Sequence, residues 1–154
     1  MKAAIFTIST SLYNAGGESE TGAELRKMLE QVGFEVRAVK ALPAERQLIG
    51  TVLKSLSDSG AVNLIITTGA NGYTQNDCAP EAVTDVVDRL LPGIPEAIRS
   101  YSIRYSKKTI LDRSVAGICG KTLIINLPEK TKAATENLDY ILPELIRVVE
   151  TTDL

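Results

Sequence analysis

Apolar positions along the chain follow two alternating rhythms. Residues 3–8 and 62–67 are nearly unbroken apolar runs, the pattern of strands buried on both faces. Residues 34–39 and 123–127 read as two further strands. Between them the spacing shifts to three and four. Leu25, Met28, Leu29 and Val32 form one helical stripe, and Leu48, Ile49, Val52, Leu53 and Leu56 form another. A third stripe carries Val83, Val86, Val87 and Leu90, and a short one Ile94, Ala97, Ile98 and Tyr101. The last carries Ala134, Leu138, Ile141, Leu142, Leu145 and Val149, with Pro143 inside it as an expected kink or restart. Residues 9–20 read as a polar loop and residues 102–117 carry no clear period. Thr21-Gly22-Ala23-Glu24 has the form of a capping box at a helix start.

Strands alternating with helices predict an α/β protein, a three-layer α/β/α sandwich around a mostly parallel sheet. At 154 residues, one domain over 1–154 is expected. Ligands on such folds bind beyond the carboxyl ends of the strands. That directs attention to the loops at 9–20, 41–45, 68–80 and 127–132.

Composition narrows the chemistry. There is no histidine, which removes Ser-His-Asp, Cys-His and His-zinc mechanisms together. Carboxylates, Lys, Arg, hydroxyls, backbone dipoles or a bound cation remain. A net charge of −2 gives no basic stripe for nucleic acid. Cys78 and Cys119 form no Cys-x-x-Cys unit, read as structural thiols, and suit a reducing cytoplasm. The apolar run at residues 3–8 is too short for a signal peptide, and no run is long enough to span a membrane.

The most distinctive segment is Thr68-Gly69-Ala70-Asn71-Gly72, followed by Asn76-Asp77-Cys78-Ala79-Pro80-Glu81-Ala82. Its glycines let backbone N–H groups approach a ligand, and the helix that follows favours an anion at its start. Asp77 reads either as the cap of that helix or as a ligand for Mg²⁺ on a phosphate. Thr131 reads as a cap for the last helix. Lys130 or Lys132 is placed to meet a phosphate, with an ordinary solvated turn as the alternative. Glu96 and Arg99, three apart on one helix, are spaced to pair.

Four of these segments together resemble the MogA/MoaB family of molybdenum cofactor biosynthesis. Thr68, Gly69, Gly72, Asp77, Pro80, Glu81 and Ala82 match its glycine-rich motif. Pro92, Gly93, Glu96 and Arg99 match a second. Leu111-Asp112-Arg113-Ser114-Val115-Ala116-Gly117 stands at a third, and Asn126-Leu127-Pro128 opens a fourth. The resemblance implies molybdopterin as substrate or ligand, ATP and Mg²⁺ as cosubstrate and metal, and Asp77 as the catalytic, metal-holding residue. It implies a substrate site drawn from Ser9, Thr68, Gly69, Ala70, Asn71, Gly72, Asn76, Glu81, Asp112, Pro128 and Lys130. It also implies a cytoplasmic homo-oligomer, a trimer or hexamer.

Departures from the family pattern cluster in the ligand loops. Ala70 and Asn71 replace a glycine and a threonine, and Asn76 an arginine. Ala79 replaces a threonine, Asp112 a serine and Glu129 a glycine. Two carboxylates gained and a cation lost weaken phosphate binding on charge alone. Two functions therefore follow: a molybdopterin adenylyltransferase, or a catalytically degenerate relative that binds molybdopterin or another small molecule without AMP transfer.

Overall fold

The computed structural model describes residues 1–152. Its six strands are β1 (Lys2–Ile8), β2 (Glu35–Leu42), β3 (Leu64–Thr68), β4 (Arg89–Leu90), β5 (Ala116–Cys119) and β6 (Thr122–Leu127). They form one sheet in the order β2-β1-β3-β6-β5-β4. The pairs β1–β2, β1–β3 and β3–β6 are parallel, whereas β5 runs antiparallel to both its neighbours.

The central strands are apolar throughout because both faces are covered. Ile5, Ile66 and Ile125 lie in register across β1, β3 and β6 and face one core. That core is closed by Leu25 and Leu29 of α2 (Glu20–Gln31), Ile98 of α5 (Gly93–Ser102) and the inner face of α6 (Thr131–Thr151). Ala4, Ile65 and Ile124 face the other core, with Ile49 and Leu53 of α3 (Arg46–Asp58) and Ala82 and Val83 of α4 (Ala79–Val86). The expected three-layer α/β/α sandwich is thus present. The 1–154 span expected from length ends two residues beyond the described chain.

Several local expectations are corrected. Residues 9–20 are not all loop, since α1 (Thr10–Ala15) occupies their first half, with Ser9 Oγ accepting from the Leu12 N–H. The capping box at Thr21 does not form. Ser19 caps α2 by accepting from the Gly22 N–H at 2.9 Å. Thr21 instead bonds across the fold, donating to the Glu129 carbonyl and sharing a hydrogen bond with the Thr131 hydroxyl at 2.7 Å. Thr131 is therefore a bridge inside α6, and the cap position falls to Lys130 without a side-chain bond.

The stripe from Val83 to Leu90 is cut short. Its helix ends at Val86 and the chain turns into the short edge strand β4. Within residues 102–117 lie a 3-10 turn, Lys107–Leu111, and β5. Pro143 neither ends nor restarts α6. The carbonyl its missing N–H leaves behind is that of Asp139, an exposed residue that water can serve.

Candidate functional site

Three loops meet beyond the carboxyl ends of β3 and β6. One pocket of about 480 Å³ is lined by Gly69, Ala70, Asn71, Gly72, Tyr73, Asp77, Lys108, Leu111, Asp112, Pro128 and Glu129. A second of about 380 Å³ adjoins it and shares Lys108, Asp112 and Pro128. Its other walls include Tyr101 of α5, Tyr105 just beyond that helix, Lys130 just before α6, and Glu136 and Asn137 of α6. The Tyr101 ring is stacked on Tyr140 at 4.6 Å, which fixes one wall. At its floor the Ser102 hydroxyl donates to the buried Asn137 amide oxygen. Together the pockets make one cleft with two lobes.

The first lobe is built on strained backbone. Gly69 has φ of 88°, and a side chain there would stand 3.1 Å from the Ile8 carbonyl. Ala70 follows at φ of 57°, the left-handed region that glycine occupies without cost. The loop closes where the Ala79 N–H donates to the Ala70 carbonyl. Asn71 is buried, and its Nδ2 donates to the Leu127 carbonyl at 2.7 Å, tying this loop to the end of β6. That bond fixes the amide orientation, because an oxygen turned there would meet an oxygen.

Asp77 is not a helix cap. Cys78 holds the cap position of α4 and makes no side-chain cap bond. The Asp77 carboxylate turns back over its own loop, where Oδ2 accepts from the Thr74 N–H at 3.0 Å and the Thr74 hydroxyl at 2.8 Å. It lies so close to Gly72 that a Cβ there would be 2.7 Å from Oδ2. Gly72 is therefore the residue that leaves room for Asp77.

Glu81 does not face a ligand. Both of its oxygens are held by the Arg113 guanidinium, at 2.7 and 2.9 Å. Arg113 thereby pulls the Glu81 carboxyl below the usual range. Asp112 is likewise met within the fold. Arg99 Nη1 donates to it at 3.2 Å and to the Ser114 carbonyl at 3.1 Å, and Ser114 Oγ donates to Asp112 Oδ1. Arg99 thus serves Asp112 rather than the Glu96 that its spacing suggested. Of the two extra carboxylates, one is neutralised in place, and only Glu129 stands exposed at the lip.

Sequence reasoning brought together most of the first lobe and little of the second. Gly69, Ala70, Asn71, Gly72, Asp77, Asp112 and Pro128 line it together, and Lys130 lines the second lobe. Thr68 is fully buried, with its hydroxyl donating to Thr7, and offers no surface to a ligand. Ser9 is engaged in capping α1, and Ser9 and Asn76 stand outside both lobes' walls. Cys78 is a half-buried free thiol whose pKa burial pushes up.

Sequence reasoning passed over Lys108, which lies in the stretch without a period and reaches both lobes. It also passed over Arg113, although that arginine stands inside a quoted motif. Asn126 is a third. Its amide oxygen accepts from the Val115 N–H, its Nδ2 donates to Thr67, and it ties the segment before β5 to β6.

A mostly parallel α/β sheet whose strand ends carry a two-lobed cleft, apolar over most of its lining with a few converging polar groups, defines a small-molecule-binding protein. Residues 4–147 match the family described as a probable molybdopterin binding domain, and the chain belongs to that family.

Over 101 residues it is 41% identical to a molybdopterin adenylyltransferase of Helicobacter pylori, covering 66% of this chain and 57% of the relative. It is 35% identical over 134 residues to one of Haemophilus influenzae, covering 86% of this chain and 66% of that protein. The chain therefore matches little more than half the length of the first of these relatives. Among solved structures, the molybdopterin biosynthesis enzyme MoaB of Thermus thermophilus is 34% identical with a TM-score of 0.85, covering 97% of both chains. The molybdopterin biosynthesis Mog protein of Mycobacterium ulcerans is 29% identical with a TM-score of 0.91, covering 98% of both. No helix of the described residues is long and apolar enough to cross a membrane.

Proposed function

We propose that this chain is a molybdopterin adenylyltransferase working in the cytoplasm as a single domain within a homotrimer or hexamer. The observation that carries the reading is the shared seam of the cleft. Lys108, Asp112 and Pro128 belong to both lobes, so a reactant in each lobe places its phosphate end at that seam. The reaction joins a phosphate oxygen of molybdopterin to the α-phosphorus of ATP. The bond from that phosphorus to the bridging oxygen breaks, and pyrophosphate leaves with the electron pair.

Lys108 and Lys130 supply positive charge beside the transferring phosphates. The 69–72 loop lines one lobe and Lys130, just before α6, lines the other, so both stand next to the seam. Asp77 suits Mg²⁺, which takes one or two carboxylates and completes its shell with phosphate oxygens and water. Among the described residues no cluster of three acidic, Cys or His ligands exists, so a resident all-protein site is not the arrangement here. Held by Asp77, Mg²⁺ would supply charge neutralisation to the phosphates during adenylyl transfer. The exposed apolar side chains of Ile103, Tyr105, Ile110 and Leu111 beside the cleft support a neighbouring copy there.

The test is a mass-spectrometric assay of the purified protein with molybdopterin, ATP and Mg²⁺. Adenylylated molybdopterin above a protein-free control is expected, with the rate falling on the order of 100-fold or more in Asp77→Asn. A wild-type-like rate in that variant removes Asp77 from the mechanism. Absence of product from folded protein overturns the transferase reading, and retained molybdopterin binding then makes it a carrier.

A further inference from the structure

We infer that Arg113 is the positioning residue for Asp77: its guanidinium clamps both ends of the turn that presents the carboxylate and anchors that turn to α4. This rests on the reading that Asp77 acts in transfer. Arg113 Nε donates to the Gly72 carbonyl at 2.6 Å, and Nη2 donates to the Asp77 carbonyl at 2.6 Å. These carbonyls flank the turn in which Thr74 holds the Asp77 side chain. The other edge of the guanidinium grips Glu81 through two bonds. The Arg113 N–H donates to the Asn71 carbonyl at 3.0 Å, so main chain and side chain of one residue fasten the same loop at three places.

The chemistry requires arginine. Its planar group donates along two edges at fixed angles, whereas an ammonium is a point donor that cannot span two carbonyls and a carboxylate at once. The fastening is needed because other devices are missing. Helix α4 has no side-chain cap, and Ala70 holds an unfavourable backbone angle at the loop's start. Arg113 is not among the residues lining either lobe, so it acts through Asp77 and not on a ligand.

A second arginine supplies the control. Arg46 grips Asp85, also on α4, with two bonds of 2.7 Å, but touches neither the 72–77 turn nor the cleft. Amide exchange of residues 72–78 is measured in wild type, Arg113→Lys, Glu81→Gln and Arg46→Lys. Arg113→Lys is expected to speed exchange there about tenfold or more, Glu81→Gln by less, and Arg46→Lys to leave it unchanged. In turnover, Arg113→Lys is expected to lower kcat on the order of 10- to 100-fold with KM for ATP nearly unchanged.

Unchanged exchange in folded Arg113→Lys overturns the clamp. Faster exchange with wild-type kcat separates Arg113 from Asp77 and overturns its positioning role. Should Arg113→Lys fail to fold, Glu81→Gln decides by the same two readouts. If wild-type protein makes no product, the transferase reading falls on its own, and the exchange measurement alone decides the clamp.

Discussion

Ala70 holds φ of 57° where a glycine would rest without strain. An alanine in that region costs about 1 kcal/mol, partly offset because glycine frees the unfolded chain. Ala70→Gly is accordingly expected to raise stability, by up to about 1 kcal/mol, in thermal or urea unfolding. Lower stability would show that the Ala70 methyl, which packs against the α3–α4 core, contributes more than the backbone angle costs. The sequence marked this position as a departure but could not say whether the backbone would bend or comply. Asp77 shows the same limit. Spacing ahead of a helix is the same for a cap and for a carboxylate turned the other way, and Thr74 decides between them. Glu81 and Asp112 look like free acids in one dimension. Their partners, Arg113 and Arg99, lie 32 and 13 residues away.

At the scale of elements, the hydrophobic rhythm located β1, β3 and β6 within a few residues because both their faces are covered and their apolar runs are nearly unbroken, and it located β2 and the long helices by their alternating and three-to-four spacings. It missed β4 and β5, which are short, β4 at the sheet edge and β5 next to it. β4 has two exposed residues, and β5 begins at a glycine-bearing stretch. Gly117 explains itself only in three dimensions. A Cβ there would be 2.7 Å from the Arg89 carbonyl and 2.9 Å from Val87 Cβ. Gly117→Ala therefore forces β4 away from β5 and is expected to cost about 1–3 kcal/mol in urea unfolding. A cost near zero would mean that this edge shifts freely. The reversal of β5 matters for the cleft as well. A parallel strand offers only the loop that follows it to the carboxyl end of the sheet. An antiparallel one offers the segment that precedes it, which is how Lys108, Asp112 and Arg113 arrive there.

At the scale of the whole molecule, three carboxylates among the described residues lie below their ordinary pKa: Glu81 through Arg113, Asp85 through Arg46, and Asp88 through the Gly120 N–H. A group depressed by folding adds stability that is complete above its unfolded value and lost as pH falls through its folded one. Stability is expected to stay level from pH 7 to about pH 5 and to fall below about pH 4. All three are at least a third exposed, so the slope is shallow. Urea midpoints at pH 7, 5 and 3.5 check this, and a midpoint that rises with acid contradicts it.

The pairing of β3 with β6 joins Leu64 to Leu123, and the cleft adds loops from either side of that seam. Contacts this distant along a chain form late, because closing the intervening loop costs entropy before any contact is made. The cleft stands on that pairing, because the 69–72 loop follows β3 and Pro128 and Glu129 follow β6. An occupant of the cleft holds the two halves of the sheet together, so its binding energy is felt as resistance of the entire chain to unfolding.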